Sequence, residues 1–444
     1  MIVDKPPAPW KAIAIVSTGN FLEMFDFMVF GFYAAAIAGV FFPRGNEYAA
    51  LMLSLATFGA GFLMRPIGGL VLGPFLDRYG RRTGLLVTLG LMALGTITIA
   101  VTPGYVGIGL AAPVLVLIGR LIQGLSAGVE VGGVSVYLSE IAPANRKGFF
   151  VAWQSGSQQL AVVFAASIGM VLTSWLSPAE MKEWGWRIPF LIGCALVPFL
   201  FLVRRKLVET PAFAAQRRHP TIKEIYRSLY QAWGTIVLGT MLATMSTVSF
   251  YLITNYTPTF GTAVLNLSPM SALAVTLCVG ISNFILLPVM GAVSDRIGRL
   301  PLMIGASFTA AATSYPALKF LVDAPSFERL LAVELWLAVV YACYNGAMIV
   351  YLTEIMPRSV RTSGFSLAYS LATAVFGGFT PAICTFLIHE TGNRAMPGAW
   401  LSMAAVIGLC AATLLARTGS AQRIVSASAE PPHQGPDSSF APLR

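Results

Sequence analysis

Twelve long apolar runs follow one another along the 444-residue chain, separated by short breaks that contain charged residues, proline or glycine. Most of them reach the length of about 20 residues that an α-helix needs to cross the hydrocarbon core of a bilayer. The pattern therefore predicts an all-α membrane protein. We expect the spans at 12–42, 49–76, 84–102, 111–138, 148–175, 186–203, 233–260, 269–294, 301–322, 328–355, 362–389 and 396–416.

The composition supports this reading and excludes most soluble functions. Hydrophobic residues make up 56% of the chain and charged residues only 11%, whereas a soluble globular protein carries roughly 25% charged residues. Soluble enzymes and nucleic-acid-binding proteins are poor interpretations in spite of the net charge of +10. The five cysteines lie in apolar runs, no histidine pair has metal-ligand spacing, and no phosphate-binding loop is present. We expect neither metal nor cofactor.

Two pairs of similar motifs indicate a duplicated six-helix unit. Gly73–Arg82 follows the second span, and its counterpart Gly291–Arg299 follows the eighth. Tyr137–Pro143 ends the fourth span, and Tyr351–Pro357 ends the tenth. The offset along the chain is nearly the same for both pairs. Parallel repeats of this kind build the two halves of one class of membrane transporter.

The basic residues predict the orientation of the chain. Most of the 29 lysines and arginines fall on the side that holds both termini and the loop between the sixth and seventh spans. Because positively charged loops stay in the cytoplasm, we expect both termini there. The expected organisation is a cytoplasmic N-terminus at 1–11, six-helix bundles at 12–203 and 233–416, a cytoplasmic interdomain loop at 204–232 and a disordered cytoplasmic tail at 417–444.

The motif of Gly73–Arg82 matches the loop G-x-x-x-D-R-x-G-R-R, and at these residues the sequence resembles the major facilitator superfamily. The resemblance covers nearly all of residues 12–416 and implies two pseudo-symmetric bundles of six helices. Further stretches are similar to the metabolite–proton symporter family of that superfamily, most of all to its members that carry citrate with protons. These stretches are Gly19–Asp26, Arg65–Gly68, Arg120–Gly124, Gly128–Ile141, Trp153–Ser155 and Glu183–Pro189.

Charged residues inside the spans are candidates for function, because a charge in the bilayer is costly unless it is paired or hydrated. Arg120 is the first candidate to bind a substrate, since a guanidinium holds a carboxylate through two parallel hydrogen bonds and stays protonated. Gln123 lies on an adjoining face of the same helix, and Arg65 is a second candidate cation. The alternative is that both arginines only neutralise acids of neighbouring spans.

Three carboxyl groups, Asp26, Glu23 and Glu130, are the candidates for proton coupling. Burial favours the protonated form of a carboxyl group, whereas a nearby arginine favours the ionised form. A group under both influences can change its protonation state when water access switches sides. The alternative is permanent ion pairing with Arg65 or Arg120. Glu334 is expected at the outer interface without a role. Because the second half has mostly neutral polar groups at the matching positions, we expect proton coupling in the first half.

Neutral polar side chains complete the predicted cavity. Each alone is more often a helix–helix contact than a ligand contact, but together they come from spans that line the central cavity in the superfamily. They are Asn20, Tyr33, Gln154, Gln158, Asn255, Tyr256, Tyr344 and Asn345. Gly124, Gly128 and Gly132 recur every fourth residue and predict a face for close helix packing.

The repeated motifs predict ionic contacts that hold the cytoplasmic side closed. The expected contacts are Asp77 with the start of span 11 near Arg361, Arg78 or Arg81 with Glu140, Asp295 with the start of span 5, and Arg296 or Arg299 with Glu354. The alternative is a basic loop that only fixes topology. It leaves the recurring acidic residues unexplained.

The resemblance implies a proton-coupled symporter that imports citrate or a similar tricarboxylate across the bacterial inner membrane by alternating access. It implies no covalent chemistry, so no enzyme. The partners would be a small carboxylate, protons and the lipid bilayer, with no nucleic acid, and the protein would act as a monomer. The same fold could instead carry tricarballylate, a dicarboxylate or a zwitterionic osmolyte. A non-transporting membrane receptor is the more remote alternative.

Overall fold

The computed structural model describes residues 9–43, 46–79, 81–204, 221–357 and 360–417. Within these ranges every regular element is a helix. Residues 1–8 of the expected N-terminus, 205–220 of the expected interdomain loop and 418–444 of the expected tail lie outside them. The described part of the interdomain loop contains the helix Ile222–Gln231. The long helices are α1 Pro9–Phe32, α2 Glu47–Tyr79, α3 Arg81–Val101, α4 Ala111–Ile141, α5 Lys147–Trp175, α6 Arg187–Arg204, α7 Trp233–Val264, α8 Pro269–Ile297, α9 Arg299–Asp323, α10 Phe327–Ile355, α11 Arg361–Thr391 and α12 Met396–Arg417.

Eight of these helices are long and apolar enough to cross a membrane: α2, α4, α5, α7, α8, α10, α11 and α12. The stretch Asn20–Phe32 of α1 and the short helix Ala34–Phe41 together form a further span, bent by 68°. Shorter apolar stretches lie in α3 and α6, at Leu86–Val101 and Arg187–Phe199. With α9, the described residues thus contain the twelve predicted helices. The bend at Tyr33, where the backbone leaves the helical region, was not predicted, because the apolar run continues through it without a proline.

The most extensive contacts between the two halves of the chain join α5 to α8 and α2 to α11. Glycines allow both pairs to approach closely. A Cβ atom added to Gly291 of α8 would lie 2.4 Å from the carbonyl oxygen of Gly148 of α5. A Cβ atom added to Gly378 of α11 would lie 2.4 Å from the ring of Phe62 of α2. The close approach of the helices in both pairs, the two seams between the halves, therefore requires glycine at these two positions.

The predicted small-residue face of α4 packs against α2 and α11. A Cβ atom on Gly124 would lie 1.7 Å from a backbone oxygen of α2, and one on Gly128 would lie 2.2 Å from the carbonyl oxygen of Arg65. One on Gly132 would lie 2.0 Å from the hydroxyl of Ser366 in α11. The close approach brings the helix that carries Arg120 against the helix that carries Arg65.

Two of the twelve long helices contain wider, π-helical turns, which often mark functional sites. In α7 these turns span Tyr251–Tyr256 and Phe260–Val264, on either side of Thr257–Thr259. Pro258 lies between them and has no N–H to donate to the preceding turn. In α11 the wider turn spans Thr373–Gly377. These segments line the region where the two halves face each other.

Candidate functional site

Arg120 is completely buried and lies against two aromatic rings. The carbon of its guanidinium group is 3.8 Å from the ring centroid of Phe30 and 5.5 Å from that of Phe27. Its Nη1 donates a hydrogen bond of 2.8 Å to Gln123, and its Nε has no partner among the described residues. No carboxylate in the described part of the chain lies within 4.0 Å of it. The guanidinium thus keeps one donor, Nε, without a partner among the described residues.

The carboxyl group of Asp26 lies next to this cation in a hydrogen-bonded network. The hydroxyl of Thr96 in α3 donates to Oδ2 of Asp26, and Nε2 of Gln123 lies 3.4 Å from the same oxygen. Gln123 also donates to Thr96 at 3.0 Å, and Nη2 of Arg120 lies 3.5 Å from the backbone oxygen of Asp26. Since Gln123 touches both charged groups, a change of charge on Asp26 acts directly on the Arg120 site.

Arg65 differs from Arg120, because it is already paired. Its Nη2 lies 3.0 Å from Oε1 of Glu23, with side-chain exposures of 1% and 5%. The guanidinium carbon also lies 4.6 Å from the ring centroid of Phe62 and 4.8 Å from that of Phe27. The pairing that the sequence left open is thus present, and protonation of Glu23 would release the positive charge of Arg65. Phe27 separates this pair from Arg120.

A chain of hydrogen bonds joins the two halves at the centre of the protein. In α5, Gln154 lies 3.5 Å from Oδ1 of Asn20, and Ser155 donates to Oε1 of Gln154 at 2.9 Å. In α10, Asn345 donates to Ser155 at 2.8 Å and accepts a 2.6 Å hydrogen bond from Ser246 of α7. Four helices that belong to both halves are therefore connected by one polar path.

The remaining predicted cavity residues divide into two groups. Gln158 reaches Asn20 at 3.4 Å, and Asn255 of α7 lies 3.5 Å from the backbone oxygen of Phe27, so both join the central region. Tyr33 is buried, and its hydroxyl has no partner among the described residues.

The hydroxyls of Tyr256 and Tyr344 do not contact the central region. The first is 3.0 Å from Thr385, and the second donates to the carbonyl oxygen of Leu242 at 2.8 Å. The structure therefore places these two tyrosines in contacts within the second half. Helical spacing alone does not specify which neighbouring helix a side chain faces.

Two acidic residues lie apart from the central network. Glu130 of α4 is buried, and Thr88 of α3 donates to it at 3.4 Å. It lies ten residues beyond Arg120 on the same helix, or about 15 Å along the helix axis. The expectation for Glu334 is wrong: its exposure is 3%, and the hydroxyl oxygen of Thr257 in α7 lies 3.1 Å from Oε1. Close packing of α7 against α10 covers a residue that its sequence position places near a membrane surface.

The repeated motif after α8 forms the contacts expected from its sequence. The backbone N–H groups of Gly148 and Phe149, at the start of α5, donate to Asp295 at 2.8 and 3.1 Å. Arg299 pairs with Asp295 at 2.7 Å and with Glu354 at 3.4 Å. Arg299 rather than Arg296 makes the contact with Glu354, because Arg296 is exposed.

In the first half the matching contacts are only partly described. The side chains of Asp77, Arg78 and Arg81 lie outside the described residues. Glu140, at the end of α4, and Arg361, at the start of α11, are half-buried, and each has an interaction partner.

Sequence reasoning missed several polar residues of the centre. Thr96 and Ser246 lie among other hydroxyl residues in apolar spans, and no spacing distinguishes them from helix-packing residues. Gln159 and Asn283 are completely buried, and neither amide has a partner among the described residues. Buried polar groups are normally paired, so such amides are candidate contacts for a polar ligand. The run of polar residues at 154–159 was the available signal.

Known proteins are similar to this chain in sequence and in the fold of its helices. The profile of the sugar (and other) transporter family matches residues 11–229 and 216–419. The chain belongs to this family of the major facilitator superfamily. It is 57% identical to a citrate-proton symporter of Klebsiella pneumoniae over 406 residues, covering 91% of each chain. It is 55% identical to a citrate-proton symporter of Salmonella typhi, covering 91% of this chain and 93% of that one.

The fold of the family is also found in solved structures. The proton:xylose symporter XylE of the major facilitator superfamily superposes with a TM-score of 0.75, covering 92% of this chain and 95% of that chain. At 20% identity this likeness concerns the fold alone. The described helices thus form the twelve-helix fold of this superfamily, in a multi-pass membrane protein. These relatives are transporters and not enzymes.

Proposed function

We propose that the protein is a secondary active transporter that carries citrate together with protons into the cell. One observation carries the proposal: Arg120 is buried beside Asp26, with no carboxylate of the described residues at ion-pair distance. A permanent cation in an apolar site favours a carboxylate ligand, and identity above 50% with citrate-proton symporters over nearly the whole chain supports citrate as that ligand.

Protonation of Asp26 provides the coupling. A charged carboxylate about 6 Å from a bound anion would repel it by about 3 kcal/mol at an effective dielectric constant of about 20. That energy corresponds to a factor of about 100 in affinity. Protonation from the outside therefore favours citrate binding, and loss of the proton to the cytoplasm favours release. Glu23 acts in the same direction, because its protonation frees Arg65 for the substrate. Glu130 is a candidate for transfer of the proton toward the cytoplasm.

The remaining polar residues hold the rest of the substrate. Gln123, Asn20, Gln154, Gln158 and Asn345 provide amide donors and acceptors around the centre. Asn255 of α7 lies 3.5 Å from the backbone oxygen of Phe27. Tyr33, directly after α1, offers a hydroxyl without a partner among the described residues. Because the path from Asn20 to Ser246 joins both halves, substrate binding there favours movement of the halves toward each other.

Alternating access follows from the two seams. Opening toward the cytoplasm separates α5 from α8 and breaks the contact of Asp295 with Gly148 and Phe149. By the internal repeat, Asp77, Arg78, Arg81, Glu140 and Arg361 form the matching contact at α2 and α11. Arg299 and Glu354 stabilise the second contact.

The cellular setting follows from charge and relatives. The basic residues favour cytoplasmic termini, a cytoplasmic interdomain loop and two six-helix bundles in the bacterial inner membrane. The proton gradient supplies the energy, so the transporter works without a cofactor. It works as a monomer, since the substrate site lies within one chain.

Uptake of labelled citrate into proteoliposomes tests the proposal. An acid exterior should drive citrate above its equilibrium level, and collapse of the pH gradient should stop accumulation. Unlabelled tricarballylate, dicarboxylates and betaine, added separately, distinguish the alternative cargoes. Citrate binding without any uptake would instead support a receptor.

A further inference from the structure

The buried carboxyl group of Glu334 lies in the second half, apart from the acids assigned above. It lies about 10 Å along α10 from the first residue of the helix, Phe327. Its exposure is 3%, and the hydroxyl of Thr257 is its polar neighbour. Oε2 has no hydrogen-bond partner among the described residues. The side chain is therefore enclosed where α10 meets the irregular part of α7.

The charges around Glu334 favour a neutral acid. The helices packed against α10 are α4, α5, α7, α8, α9 and α11. In the described part of these helices, no charged or titratable side chain interacts with Glu334, and Thr257 is the polar group that does. An ionised carboxylate without a cation is costly in such surroundings, whereas a protonated one needs only a single acceptor.

The hydrogen bonds of Thr257 identify that acceptor. Its Oγ1 lies 3.0 Å from the carbonyl oxygen of Ile253, 3.3 Å from that of Leu252 and 3.1 Å from Oε1 of Glu334. A hydroxyl has one proton and can donate it to only one of these three acceptors. In the wide turn that precedes Pro258, the missing proline N–H leaves the Ile253 carbonyl in need of a donor. Thr257 therefore donates to Ile253, and the proton between Thr257 and Glu334 belongs to the acid.

The same segment of α7 closes against α1. A Cβ atom on Gly31 would lie only 2.0 Å from Nδ2 of Asn255, two residues before Thr257. Wide turns and Pro258 make this stretch the part of α7 that bends most easily. Because α1 also packs against Thr257–Thr259, separation of α1 from α7 would free the segment that holds Thr257 against Glu334.

We propose that Glu334 is a proton-binding residue of the transport cycle, which holds its proton while α1 and α7 are in contact. When the two helices separate, the O–H bond of the acid breaks, the proton passes to entering water, and the carboxylate is hydrated. The inference rests on the proposed function, because it adds a site in the second half to proton coupling by Asp26.

Two measurements on the purified protein test this role. The first is infrared difference spectroscopy of the C=O band of protonated carboxyl groups at neutral pH. Glu334→Gln should lose one such band, whereas Glu328→Gln, which changes an exposed acid of the same helix, should keep it. Thr257→Val should shift the band by removing the acceptor, and Thr257→Ser should not. An unchanged band in Glu334→Gln would overturn the proposal.

The second measurement is the number of protons taken up per citrate in proteoliposomes, from simultaneous pH-dye and isotope signals. Glu334→Gln should lower this ratio by one relative to the wild type and to Glu328→Gln. An unchanged ratio would show that Glu334 is only structural. If Glu334→Gln does not transport at all, the infrared band of the first measurement decides whether Glu334 holds a proton. A wild type without proton-coupled citrate uptake would refute the proposed function instead, and the infrared test would still report whether Glu334 is protonated.

Discussion

Replacement of Gly291 by alanine should open the seam between α5 and α8. The added methyl carbon would lie 2.4 Å from the carbonyl oxygen of Gly148 and 2.8 Å from Cβ of Ala152. Backbone atoms cannot turn aside as a flexible side chain does, so the helices must separate by about 1 Å to restore normal contact. Gly305→Ala is the matched control, because a Cβ atom there meets nothing within 4 Å.

The structure gives the size of the effect. Overpacking of a close contact costs roughly 1–3 kcal/mol. A shift of about 1 Å also stretches the hydrogen bonds of 2.8 and 3.1 Å from Gly148 and Phe149 to Asp295. Bonds to a charged acceptor contribute about 1.5–3 kcal/mol each. A net loss of about 3 kcal/mol would change the ratio of closed to open molecules by a factor of about 100.

The assay is a distance distribution between spin labels at Asn145 and Ile297, both exposed, in a variant without the five native cysteines. Gly291→Ala should populate a longer distance, while Gly305→Ala should resemble the parent. Both changes add the same helix propensity, which separates the contact from a general effect of alanine. Identical distributions for both variants, with Gly291→Ala still folded, would refute the reasoning.

Three further predictions concern the centre of the protein. Arg120→Lys keeps the charge but loses the planar fork, so KM for citrate should rise about 10-fold or more in uptake kinetics. Glu23→Gln leaves Arg65 buried without its partner and should destabilise the protein by about 3–5 kcal/mol in thermal unfolding, whereas the double change Glu23→Gln/Arg65→Gln should recover most of it. Ser155→Ala removes the link to Asn345 and should cost about 1 kcal/mol, with slower citrate exchange.

Hydropathy was sufficient to predict the number and order of the helices. A bilayer requires about 20 apolar residues in each span, and runs of this length can be recognised directly in the sequence. The internal repeat likewise predicted that Asp295 faces the start of α5 and that Glu354 meets an arginine. This prediction needs only the backbone geometry of the repeated unit, since the motif lies at the end of a helix.

The faces of the helices were harder to predict. Gln154 and Gln158 turn toward α1, Ser155 turns toward α10, and Tyr344 turns toward α7. A span that is apolar all round does not reveal its rotation, which interhelical packing decides. Glu334 was misplaced for the same reason. The sequence predicts the position of Glu334 along α10, but its contact with Thr257 depends on the irregular turn of α7.

We propose that citrate and protons move together through a site formed around Arg120. The most direct measurement is the citrate gradient at which net flux through proteoliposomes reverses, taken at several imposed pH gradients. The reversal point should move with the pH gradient by at least tenfold in citrate ratio for each pH unit. Arg120→Gln should abolish the flux. A reversal point fixed by citrate alone, or unchanged flux in Arg120→Gln, would contradict coupled transport through this site.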